Sequence, residues 1–193
     1  MREIPIFPLH TVLFPGGLLP LRIFEQRYLD MTKICLRDNQ PFGVCHIREG
    51  SEAGAPALPD AVGCTATITE WDMPHLGLFH LIVRGGERFR IVETTVGASG
   101  LISAHIELLP PEGGATEVDE VCREVLERVI DKVGAEKFPA PLELDDPAWV
   151  AYRLAEILPV DETVKQQLLE LQDAEARFFL LRRIMTAQGL INR

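Results

Sequence analysis

Residues Ile6–Met31 read IFPLHTVLFPGGLLPLRIFEQRYLDM, and how this stretch is read decides the fold. Phe7, Leu9, Val12, Leu13, Phe14, Leu18, Leu19, Leu21, Ile23 and Phe24 crowd around three prolines and a Gly-Gly pair, with no formal charge before Arg22. A secretory leader needs a basic start and an unbroken apolar run of about 7–15 residues. Here Glu3 follows Arg2, and Pro5, Pro8, His10, Pro15 and Pro20 break the run. A bilayer helix needs about 18 or more uninterrupted apolar residues, which no segment reaches. The stretch reads instead as two extended segments joined through FPGG. Pro15 fixes φ at the second place of a type II turn, and Gly16 accepts the positive φ required at the third. Phe24, Tyr28, Met31 and Cys35 then recur at helical spacing, with Leu29 and Leu36 beside them, predicting one helix inserted between strands.

Outward from this stretch, strands dominate up to about Pro111. Ile102, Ala104, Ile106 and Leu108 alternate with polar residues, which predicts a half-buried strand. Phe42–Ile47 and Cys64–Glu70 are two more, separated by REGSEAGAPALPDAVG, whose composition is that of a surface loop. Leu78–Arg84 and Arg88–Glu93 flank Gly85-Gly86-Glu87, the spacing of a hairpin. Beyond LLPPEGG the period becomes helical. Val118, Val121, Cys122, Val125, Leu126, Val129, Ile130 and Val133 form one apolar stripe, with a capping-box pattern at Thr116 and Asp119 and a stop at Gly134. Three further helices follow: one opened by Asp146-Pro147 and stopped before Pro159, one after Asp161 bearing Val164, Leu168 and Leu171, and one after Asp173 bearing Phe178, Leu181 and Met185. The fold class is α+β, with a β-rich domain at 1–112 and a helical domain at 113–193.

Composition narrows the function. The chain has 193 residues, 47% hydrophobic and 25% charged, a globular balance. Its net charge is −10, with 9 Lys and Arg against 12 Asp and Glu through Pro110 and 10 against 17 beyond it. Such a surface repels phosphate backbones, so neither nucleic acid nor a membrane is an expected partner. Four cysteines in a chain with its own large core do not resemble a disulfide scaffold, and a cytoplasmic location is expected.

The chemistry searched for is sparse. The sequence has no Gly-Lys pair, hence no phosphate-cradling loop, and neither a G-x-S-x-G elbow nor an H-E-x-x-H helix. Cys45-His46 invites a thiol mechanism, but neighbours in a strand point to opposite faces. Cys35, Cys45, His46 and Cys64 lack the short C-x₂₋₄-C spacing of structural zinc. No catalytic residue, metal or cofactor is therefore expected. Arg84, Arg88 and Arg90 lie at the expected hairpin, where they could clamp an anion or simply keep a strand edge charged.

FPLHTVLFPGGLLPLRIFEQRYLDM, FGVCHIREG, VGCTATITEWD and LIVRGGERFRIVE, taken in order, resemble the amino-terminal substrate-binding domain of Lon proteases, in particular free-standing bacterial proteins of that domain alone. The tail, DDPAWVAYRLAEILPVDETVKQQLLELQDAEARFFLLRRI, resembles the helical part of the same family. The resemblance implies a PUA-like β-barrel with an inserted helix, followed by a C-terminal helical bundle. It also implies a non-catalytic protein- or peptide-binding module that engages unfolded or tagged protein segments, alongside a protease or chaperone, with a homodimer in view. The same domain in cereblon serves a ubiquitin-ligase assembly. The residues to which the resemblance directs attention are Phe14, Pro15, Arg22, Phe24, Tyr28, Arg84, Arg88 and Phe89. The alternative is a small-molecule or RNA-binding domain, since PUA-like barrels elsewhere bind RNA.

Overall fold

The structure is a computed structural model that describes residues 2–113 and 117–191. It divides into two compact units, Met1–Pro110 and Pro111–Arg193.

The first unit holds six strands and one helix: β1 (Arg2–Leu9), β2 (Leu18–Ile23), α1 (Gln26–Asp38), β3 (Phe42–Glu49), β4 (Leu58–His75), β5 (Leu78–Val96) and β6 (Ile102–Leu108). The strand order is β2-β5-β4-β3-β1-β6, and a further β5–β6 pairing carries the circuit of hydrogen bonds back to β5. All pairs are antiparallel except β1 with β3. That parallel pair is buried on both faces, as such pairs require. Ile4 and Ile6 enter one apolar cluster with Cys45 and Phe89; Phe7 and Leu9 enter the other with Phe42, Val44, Tyr28 and Met31. This double burial explains why β1 reads as an almost continuous apolar run.

The FPGG segment folds as its sequence predicts. Gly16 has φ 74°, and the Gly17 amide donates to the Phe14 carbonyl at 3.0 Å, closing the turn. The two flanking strands do not pair with each other: β2 joins β5, while β1 joins β3 and β6.

The Gly85-Gly86 hairpin is corrected. β5 runs unbroken from Leu78 to Val96, and the turn into it from β4 lies at residues 76–77, where Gly77 takes φ 83°. The glycine pair answers a different need, the close approach of another backbone. Gly16 donates to the Gly85 carbonyl and Gly85 donates to the Gly17 carbonyl, both at 2.8 Å. A Cβ on Gly85 would stand 2.1 Å from the Phe14 carbonyl oxygen. Both glycine motifs are thus two sides of one contact.

Smaller departures are also physical. Phe24 lies before α1 rather than in its apolar stripe and is 64% exposed. The loop after β3 shortens to residues 50–57, because Leu58–Gly63 extends β4 alongside β3 and β5. β6 buries Ile102, Ala104 and Ile106 but leaves Leu108 exposed at its end.

The second unit contains α2 (Glu120–Val133), a 3₁₀ turn at Ala135–Lys137, α3 (Pro147–Ile157), α4 (Glu162–Glu170) and α5 (Ala174–Ala187). Local signals place these helices well. The side chains of Asp119, Asp146 and Asp173 accept amide hydrogens from Cys122, Trp149 and Ala176, and Gly134 ends α2 at φ 100°. Thr116 lies outside the described residues. α2 buries Cys122, Val125, Leu126 and Ile130, with Val133 left half exposed at its end. A buried guanidinium organises the later helices: Arg177 donates to the carbonyls of Leu168 and Leu171 at 2.7 Å, meets Glu112 at 2.6 Å and lies over the Tyr152 ring at 4.2 Å. Among the described residues, no helix is long and apolar enough to cross a membrane.

Candidate functional site

β2 is an edge strand. Its six residues pair with β5 in an unshifted antiparallel register, from Leu18 with Arg84 to Ile23 with Phe79. Along its other edge lies a groove of about 430 Å³. Leu19–Glu25 form one wall; Phe7, Leu9 and Thr11 come from β1 and its exit, Tyr28 from α1, and Glu52 with Ala53 from the shortened loop. Both sheet faces of β2 contribute while no residue of β5 does, which puts the groove on the open edge. Phe7 and Leu9 belong to the part of β1 that lies past its pairing with β6 and touches β3 alone. The groove is therefore a gap between two strand segments, each paired on one side only.

The walls are mainly apolar, and the polar groups have defined roles. Phe7 and Tyr28 pack with ring centroids 4.3 Å apart. Burial pushes the Tyr28 phenol up; Arg27 opposes this, and Glu25 and Glu52 add to the rise, so Tyr28 stays a neutral hydroxyl. Glu25 meets Arg27 at 3.1 Å, and Glu52 accepts the His10 amide at 2.7 Å. Arg27, itself buried, also donates to the Gly100 carbonyl at 3.1 Å and lies 4.6 Å over the Tyr28 ring, which fixes the start of α1. Arg22 and Phe24 are exposed at the rim.

Of the residues singled out in the sequence, the structure brings Arg22, Phe24 and Tyr28 together at this groove. Phe14 and Phe89 are fully buried, and Pro15 occupies the turn. Arg84, Arg88 and Arg90 do not cluster at a hairpin. They are spread along about 20 Å of β5 at the usual rise per residue, and Arg88 is only 4% exposed. Sequence reasoning missed Phe7, Leu9, Leu19, Pro20 and Glu52. One signal was available: a proline inside a strand pattern marks an edge.

The Cys45-His46 pair divides as strand geometry requires. Cys45 is buried in the core, where desolvation pushes its thiol far up, while His46 faces Asp60 with Nδ1 2.8 Å from its carboxylate. All four cysteines are buried thiols outside any disulfide.

Comparison with known proteins agrees with this architecture. The sequence model of the ATP-dependent protease La (LON) substrate-binding domain matches residues 3–187. A Lon protease of Anaeromyxobacter dehalogenans is 29% identical over 92% of this chain and 22% of its own length, and Lon protease 2 of Herpetosiphon aurantiacus is 30% identical over 91% and 22%. The chain thus spans about a fifth of the length of these relatives. The crystal structure of a Lon N-terminal domain protein from Xanthomonas campestris superposes with a TM-score of 0.79 at 34% identity, covering 95% of this chain and 98% of that one. With the family model spanning nearly its whole length, this chain belongs to the Lon substrate-binding domain family.

Proposed function

We propose that the chain is a non-catalytic recognition module that holds extended, apolar segments of unfolded or tagged proteins in the groove along β2. One observation carries this reading: a largely apolar gap beside an open strand edge, with Phe24 exposed at its rim. Extended peptides join such edges through main-chain hydrogen bonds and seat alternate side chains in neighbouring pockets. Membership of a substrate-binding family supports the same assignment. Arg22, Phe24 and Tyr28 make the contacts; Phe14, Pro15, Arg84, Arg88 and Phe89 shape the scaffold behind them. In this reading the closed pairing circuit is a PUA-like β-barrel with α1 inserted, residues 1–112 form the recognition domain, and residues 113–193 form a helical domain. The module acts in the cytoplasm and delivers its segments to a protease or chaperone.

The test is a titration of the purified protein against reduced, carboxymethylated α-lactalbumin, a permanently unfolded chain, followed by fluorescence anisotropy. Saturable binding that falls at least tenfold in Phe24→Asp supports the proposal. Binding no stronger than that of a folded acidic control protein overturns it.

A further inference from the structure

The main-chain phase of β2 specifies what the groove accepts. The Gly85 amide donates to the Gly17 carbonyl, and no register shift follows along the β2–β5 ladder. The amide and carbonyl of one strand residue point to the same side, and successive residues alternate. Residues 19, 21 and 23 therefore face β5, whereas 18, 20 and 22 face the groove. The open edge offers the amides of Leu18 and Arg22 and the carbonyls of Leu18, Pro20 and Arg22, with a gap where Pro20 has no N–H.

The side-chain rows that end at this edge are also fixed. Directly opposed residues on adjacent strands share a face. One row runs Asp72–His80–Arg22, a second Glu70–Ile82–Pro20 and a third Thr67–Arg84–Leu18. The first ends on an exposed guanidinium and the other two on apolar residues.

We propose that the occupant binds by adding a strand to β2, in register with Leu18, Pro20 and Arg22, and that it is an extended apolar segment with one acidic side chain opposite Arg22. This rests on the peptide-binding reading above and specifies its geometry and substrate class. A carboxylate extends the first row with a charge opposite to Arg22, and apolar residues extend the other two. Intervening side chains turn toward Leu19, Leu21 and the Phe7 side of the groove. A second copy of this chain fits poorly. Pairing two β2 edges brings together two Pro20 residues and so loses two ladder bonds where a guest strand loses one, and two molecules each of charge −10 repel.

The test uses the acetylated, amidated peptide Ser-Glu-Val-Phe-Val-Leu-Ser with the intact protein, and versions of it N-methylated at single amides. Strand addition predicts that methylation at one alternating set of amides weakens binding at least tenfold while the other set leaves it unchanged. Uniform or absent effects on a peptide that does bind overturn the strand geometry and leave the peptide-binding reading standing. The charge pairing is tested separately: Arg22→Glu weakens the Glu peptide about tenfold, and Lys in place of that Glu restores affinity for the variant. Failure of this exchange overturns the acidic preference. If neither the peptide nor the unfolded protein binds, both the inference and the function beneath it fall.

Discussion

Gly85 shows how one residue can be fixed by a partner far along the chain. Any Cβ there would penetrate the Phe14 carbonyl, and that carbonyl is held by the Gly17 amide in a turn with little room to move. Gly85→Ala should therefore cost about 3 kcal/mol or more, at the upper end of overpacking effects, measured by chemical denaturation. Gly97→Ala, whose Cβ would meet nothing nearer than 3.6 Å, should be close to neutral. The cysteines give a second expectation. Burial raises the Cys35 thiol to about 11, and Cys45 and Cys122 are pushed further up by the same cause. At pH 8 only about 0.1% of Cys35 is thiolate, so a disulfide reagent should label less than one thiol in the folded protein and all four after denaturation. The sign for stability follows directly. Between the ordinary thiol value near 9 and the raised one near 11, the folded state keeps a proton that the unfolded chain releases, so stability falls as pH climbs through that window.

Among the elements, the helices were legible because their signals are local. An aspartate, a first-turn proline and a 3.6-residue stripe lie within a few positions of one another, and α3 begins where Asp146-Pro147 places it. The difference among the caps is testable: the Asp146 side chain accepts the Trp149 amide at 2.9 Å, while Asp161 makes no such bond at the start of α4. Asp146→Ala should lose about 1 kcal/mol of stability and Asp161→Ala clearly less, read by thermal or urea melts. The strands were legible as apolar runs, but their partners were not. Gly85-Gly86 satisfies a turn and a backbone contact equally well in sequence, and the structure chooses the contact because FPGG arrives there from the front of the chain. The groove was legible only at Arg22, Phe24 and Tyr28. Its other wall is assembled from β1 and the 50–57 loop, whose proximity no local pattern encodes.

At the scale of the whole molecule, the change from strand signals to helix signals near Pro111 coincides with the division into two compact units at Pro110. Each unit carries its own buried side chains: Phe14, Phe42, Phe89 and Ile106 in the first, Arg153, Arg177, Leu126 and Leu154 in the second. Fragments 1–110 and 111–193, expressed separately so that Glu112 stays with Arg177, should each unfold cooperatively, with the first retaining whatever peptide affinity the intact chain has. A fragment that melts without a transition in circular dichroism would argue against autonomous domains.

One feature of the first unit sets its internal order of opening. β5 spans 19 residues and pairs with β2 near its start, with β4 along most of its length and with β6 toward its end. By the alternation that sets the β2 ladder, the amides of Leu81 and Val83 face the edge strand β2, while those of Ile82 and Arg84 face β4 and reach solvent only when the central pairing opens. In deuterated water the latter two should be the slowest to exchange, at a rate that reports global unfolding, while the rim that receives a guest strand breathes around this fixed axle.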